Sequence, residues 1–168
     1  MANTFELISS TVVGSGGASS IDFTSIPSTY KDLVVLLSIR TNRGGNPDQL
    51  VVKFNGSSSS YTQRTLEGFN GGTSSYSNTY LFAYVNGNTS TSNTFGNASL
   101  YLPNYASSQN KSLSIESATE NNSSAGGEFP AAGLWSNTAA ITSIGLTSTT
   151  ADLISQYSTA YLYGVKNA

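Results

Sequence analysis

The chain contains no cysteine and no histidine. Without thiols, neither disulfides nor thiolate metal sites can form. Without imidazole, the side chain that most often moves protons near neutral pH is missing. Ser-His-Asp and Cys-His constellations are therefore impossible, as is zinc or copper held on imidazole. Only oxygen-ligand sites, of the calcium type, stay open. Charge is scarce too: Asp, Glu, Lys and Arg make up 10% of the chain, with a net charge of −2, against about 25% in an ordinary soluble domain. Solubility then rests on Ser, Thr, Asn and Gly, and close packing with other chains meets little electrostatic resistance. No basic stripe marks a nucleic-acid reader. The first lysine is Lys31, so no positively charged leader is expected. The longest aliphatic run, Leu33 to Leu37, is too short to cross a bilayer. The expectation is no nucleic acid, no membrane, no metal and no cofactor.

What is present is β pattern. A chain of 168 residues suits one domain, residues 1–168, and is long enough to build a core without staples. Short runs alternate apolar and polar residues between Gly, Asn, Ser and Pro clusters. Strands are expected near 5–13, 18–23, 33–40, 50–55, 61–67, 78–85, 94–102, 112–119, 141–147 and 156–165. Asn55-Gly56 and Asn86-Gly87 favour tight reversals. Leu33, Val35, Leu37 and Ile39 point one way, Val34 and Leu36 the other; apolar residues on both faces predict a central strand with a cover on each side. In 112–119, Leu113 and Ile115 face inward while Ser112, Ser114 and Glu116 face water. The segment 121–127, NNSSAGG, reads as a loop. The pattern predicts an all-β fold: a single antiparallel β-sandwich of jelly-roll type.

Chemistry-bearing groups are sparse. Glu116, Glu120 and Glu128 are the carboxylates from which a glycosidase pair would have to come, and solvated surface acids are the plainer account. Arg40 and Arg43, beside Gly44-Gly45, lack Walker or Rossmann spacing; a solvated loop or a bridge to a neighbouring chain suits them better. No catalytic residue is assigned. The aromatic pattern is more specific. Tyr76, Tyr80, Phe82 and Tyr84 share one parity, with Leu81, Ala83 and Val85 on the other. Tyr157, Tyr161 and Tyr163 form a second stripe opposite Ala160 and Leu162. Such stripes either line a core or face a partner, since tyrosine is enriched at protein interfaces. With Arg40 and Arg43 they are the candidate interface residues. The lone tryptophan, Trp135, precedes an aliphatic segment with Ile141, Ile144 and Leu146, which suits a core plug.

Four phrases, FELISSTVVGSGGASSIDFTSIPSTYKDLVV, LPNYASSQNKSLSIESATENN, GLWSNTAAITSIGLTS and STAYLYGVKNA, span nearly the whole chain. Together they resemble small β-rich virion structural proteins of tailed phages, particularly phages of marine bacteria and cyanobacteria. The resemblance implies a non-enzymatic structural role in a phage particle: a capsid decoration (cement) protein on the outer capsid surface, with the major capsid protein or another virion protein as partner. By analogy with phage decoration proteins it also implies a homo-oligomer, a trimer. The alternative is a tail- or fibre-associated module that holds host surface polysaccharide on its tyrosines.

Overall fold

Thirteen strands and no helix form among the residues described by the computed structural model, 4–122 and 125–166. They are β1 (Phe5–Val12), β2 (Ile21–Phe23), β3 (Asp32–Ile39), β4 (Asp48–Phe54), β5 (Tyr61–Phe69), β6 (Gly72–Asn78), β7 (Leu81–Val85), β8 (Gly96–Leu102), β9 (Lys111–Thr119), β10 (Gly127–Glu128), β11 (Ala131–Trp135), β12 (Ile144–Ser148) and β13 (Thr159–Val165). All strand pairs are antiparallel and divide between two unequal sheets. The large sheet holds nine strands, from β1 through β13, β3, β8 and β9 to β10, β11, β5 and β6. The small one runs β2-β12-β4-β7. The fold is an all-β sandwich of antiparallel sheets.

The core follows from parity. Leu33, Val35, Leu37 and Ile39 of β3 pack with Leu50, Val52 and Phe54 of β4 and with Leu81, Ala83 and Val85 of β7 in one continuous cluster. Residues two apart on a strand share a face, so each strand delivers its odd or its even set inward. Trp135 is a core residue, 1% exposed. It lies 6.0 Å from Tyr61, stacked, and 5.7 Å from Phe54, edge-on. Its register partners are Tyr61 on β5 and Lys111 on β9.

Several expectations are corrected. The segment read as one strand, 78–85, turns at Thr79-Tyr80 and passes from the large sheet (β6) to the small one (β7). Strand β6 itself, GTSSYSN, was not expected, because it offers almost no apolar alternation. Its hairpin with β5 closes on Asn70-Gly71, both at positive φ, 51° and 77°. Strands β10 and β11 were not expected either. They occupy one position between β9 and β5 and are separated by Phe129-Pro130, where proline cannot donate to the ladder. Of the expected loop 121–127, Gly127 begins β10, and residues 123 and 124 lie outside the described set. Asn86-Gly87 does not close a hairpin: Asn86 is wholly buried and donates to Thr94 Oγ1 and the Glu120 carbonyl.

The two sheets meet at a seam. β7 is an edge strand of the small sheet, and its outward backbone groups face the inner side of the large sheet. There Gln63 of β5 acts as a substitute strand. Its Oε1 accepts from the Phe82 N–H at 2.9 Å and its Nε2 donates to the Phe82 carbonyl at 3.1 Å. Ser117 of β9 accepts from the Tyr84 N–H at 3.1 Å. Both side chains are buried. Gly133 of β11 permits the approach: a Cβ there would stand 2.8 Å from side-chain carbons of both Leu113 and Leu81. The small sheet thus stands on its β7 edge against the large one.

Gln63→Ala leaves the Phe82 N–H and carbonyl buried without partners. At 1–3 kcal/mol per orphaned group, the two are expected to cost about 2–6 kcal/mol. Urea unfolding should show this as a lower midpoint at unchanged m; a loss below about 0.5 kcal/mol would show that Gln63 is not the seam.

Candidate functional site

The seam divides the β7 side chains. Leu81, Ala83 and Val85 enter the core, while Phe82 and Tyr84 fall on the far side of the small sheet. There they meet the inner-face residues of β5 and β10–β11 that the small sheet does not cover. Tyr80 and Phe82 lie 5.4 Å apart, Phe82 and Tyr84 5.2 Å, Tyr84 and Phe129 4.1 Å, and Phe129 and Phe69 6.0 Å, centroid to centroid. The hydroxyls are joined as well. Tyr76 donates to the Tyr84 hydroxyl at 2.8 Å, Gln49 Nε2 donates to the same oxygen at 3.3 Å, and Tyr80 donates to Gln49 Oε1 at 2.8 Å. The first aromatic stripe is therefore not one strand face. Tyr76 comes from the large sheet, Phe82 and Tyr84 from the small one, and the stripe packs chiefly against itself along the seam.

The second stripe is on open ground. Tyr161 and Tyr163 stand on the outer face of β13, stacked at 6.5 Å. Register places Tyr163 opposite Leu7 on β1 and Val34 on β3, and Val34 opposite Tyr101 on β8. Leu7, Tyr163, Val34 and Tyr101 thus form one row across four strands. A parallel row runs Ser10, Tyr161, Leu36, Ser99 and Glu116. Phe5 and Val12 extend the same face along β1, opposite Val165 and Thr159. Leu36 is 42% exposed, Tyr101 43%, Leu7 50% and Phe5 55%. The cover expected over the second face of β3 is absent among the described residues, and Val34 and Leu36 look outward onto bare sheet. Tyr157 is outside this row. It sits in the turn before β13 at φ 71° and is largely exposed, because a left-handed residue breaks the strand parity.

The arginines separate. Arg40 is buried, which corrects the expectation of an interface role. Its Nη1 donates to the Thr91 and Thr94 carbonyls at 2.9 and 3.0 Å, and its Nη2 to those of Asn88 and Ser90 at 3.0 Å each. The guanidinium holds loop 86–94 in place of a counter-ion. Arg43 is partly exposed. It donates to the Pro47 carbonyl at 2.9 Å and lies 3.6 Å from Asp48. Asp48 is itself buried and accepts from Thr41 Oγ1, Ser148 Oγ and the Gln49 N–H.

Among the carboxylates, Glu116 and Glu128 share the outer face of the large sheet. Glu128 pairs with Ala118, which puts it diagonal to Glu116, a relation that separates neighbours by about 7–8 Å, with Cβ atoms somewhat closer. They line a shallow hollow of about 560 Å³ beside Leu36. Glu120 is turned away, accepting from the Asn122 N–H at 2.6 Å. Among the described residues no three acidic side chains gather as a metal site would require. Sequence reasoning missed Phe5, Leu7 and Tyr101 on the outer face and Gln49, Glu67 and Phe69 at the seam. The apolar alternation Phe5, Leu7 was visible; which face it would serve depends on register.

Burial raises the pKa of Tyr76, Tyr61 and Tyr105, and for Tyr76 the Tyr84 hydroxyl and the Glu67 carboxylate add to it. An unfolded tyrosine ionises near pH 10. Above that pH the unfolded chain loses phenolic protons that the native chain retains, so this contribution to stability is complete below pH 10 and falls as pH rises. The melting temperature should drop between about pH 9 and pH 12, less steeply in Tyr76→Phe. Parallel curves for the two proteins would contradict the assignment to Tyr76.

Comparisons of the chain with protein-family models, curated proteins and solved structures return no match.

Proposed function

We propose that this chain is a non-enzymatic structural protein of a phage particle, a capsid decoration protein that lays the outer face of its nine-stranded sheet against the shell. One observation carries the reading: β3, the centre of the apolar pattern, has a bare second face, continuous with Leu7, Tyr163 and Tyr101. The virion setting itself rests on the sequence resemblance.

Magnitudes bear on how such a face would work. Phe5, Leu7, Val12, Leu36 and Tyr101 are 42–64% exposed. At 150–250 Å² for a large side chain, they present roughly 450 Å². That lies within the size of the largest apolar patch on a monomer, which is often functional, and covers about half of one side of a standard interface. Its burial is worth about 11 kcal/mol before costs, close to what association itself consumes. A single copy would thus bind weakly. Many copies, or a trimer presenting three faces together, would bind firmly through multivalency. Low charge fits the same role, since neighbouring copies repel each other little.

The double variant Leu7→Asp, Leu36→Asp changes only outward side chains and should fold normally. It is expected to lose particle binding by at least a hundredfold, and particles lacking the chain should fail at lower temperature or milder osmotic shock than complete ones. Undiminished binding by the variant, or equal survival of the two kinds of particle, would overturn the proposal.

A further inference from the structure

Away from the outer face, the fold leaves a second concave feature. Where the large sheet overhangs the β7 edge, a cleft of about 290 Å³ opens between the two sheets, lined by Arg43, Pro47, Gln49, Glu67, Phe69 and Tyr84. Glu67 and Phe69 continue the inner parity of Gln63 and Thr65 on β5. The cleft therefore lies on the side of the large sheet opposite Leu7, Tyr163 and Tyr101. A chain docked by its outer face would keep it open.

We propose that this cleft binds a neutral saccharide unit. Three properties of its lining select that class. The first is the pairing of aromatic wall and hydrogen-bonding groups. Tyr84 and Phe69 supply aromatic surface on which the C–H face of a pyranose can pack. Arg43 offers only donors, Glu67 only acceptors, and the Gln49 amide both. A sugar hydroxyl donates and accepts at once, and so engages such a set where an apolar ligand cannot.

The second property is charge. Arg43 is balanced by the buried Asp48 at 3.6 Å, which leaves Glu67 as the net charge of the lining. That arrangement disfavours phosphate and carboxylate ligands. A neutral polyol meets no such penalty, and the choline arm below shows whether an organic cation is taken in its place. The described hydrogen bonds of Arg43 engage Nη1 alone, so the rest of the guanidinium fork remains for a ligand.

The third is rigidity. Tyr84 is held by the Tyr76 hydroxyl and Gln49 Nε2, and Gln49 by the Tyr80 hydroxyl. Tyr84 also packs 4.1 Å from Phe129. Two lining groups are thus fixed before any ligand arrives, which lowers the ordering cost that limits weak polar binding. The tyrosines of the first stripe act here as the support of the site.

The test is a titration of the isotope-labelled full chain, followed by amide chemical shifts. The probes are neutral tetrasaccharides of glucose, galactose and mannose, with inorganic phosphate and choline chloride in parallel arms. The expected result is saturable shifts centred on Gln49, Glu67, Phe69 and Tyr84 with at least one sugar and with neither ion. Glu67→Gln and Tyr84→Ala should each weaken that binding at least tenfold, and Tyr161→Ala should leave it unchanged. Glu67→Gln keeps the volume of the side chain, so it reports on the site even if Tyr84→Ala disturbs the seam. Shifts at the cleft with phosphate or choline alone, sugar shifts centred on Tyr161 and Tyr163, or no saturable shift with any tetrasaccharide would each overturn the proposal. None of these outcomes bears on whether the outer face docks to a particle.

Discussion

The attachment of the β7 edge to the large sheet is the constraint on which the rest of the molecule depends. An edge strand normally shows unpaired N–H and C=O groups, and here a glutamine and a serine supply the missing partners. Because side chains rather than another strand make the bonds, the small sheet stands at an angle to the large one instead of extending it. One side of the angle closes over Leu81, Ala83 and Val85 to form the core. The other side stays partly open and collects Tyr80, Phe82, Tyr84 and Phe129. Core, seam and cleft are three consequences of one set of hydrogen bonds.

The same inequality of sheets explains the outer face. Four strands cover the inner side of nine, and nothing among the described residues covers the far side. A water-facing sheet normally carries polar residues there, as β9 does with Ser112, Ser114 and Glu116. β1, β13 and β3 instead carry Phe5, Leu7, Tyr163, Val34 and Leu36. With charge at 10% of the chain, little electrostatic repulsion opposes a neighbour on that face.

Much of this was legible in sequence where parity was clean. β3 and β9 show their inward residues directly, and the bulk and aliphatic surroundings of Trp135 pointed to burial. β6 was hidden because a strand of Ser, Thr and Gly carries no period. β10 and β11 were hidden because Pro130 interrupts them and their central position comes from pairing with β9 and β5, which are distant in the chain. The first aromatic stripe kept its parity across a turn by coincidence, so Tyr76 read as a neighbour of Phe82 on the same strand when it belongs to the other sheet. Arg40 looked like a loop residue because the carbonyls that surround it lie some fifty residues away. The hydrophobic character of both faces of β3 was plain, but the absence of a cover is a property of the whole fold.

The proposed docking is tested most directly by a cryo-EM reconstruction of phage particles assembled with this chain, at a resolution that places side chains. The account predicts another polypeptide packed on Leu7, Leu36, Tyr101 and Tyr163, with the Arg43–Tyr84 cleft facing away from it. A chain seated by any other surface, with that row of side chains turned to solvent, would contradict it.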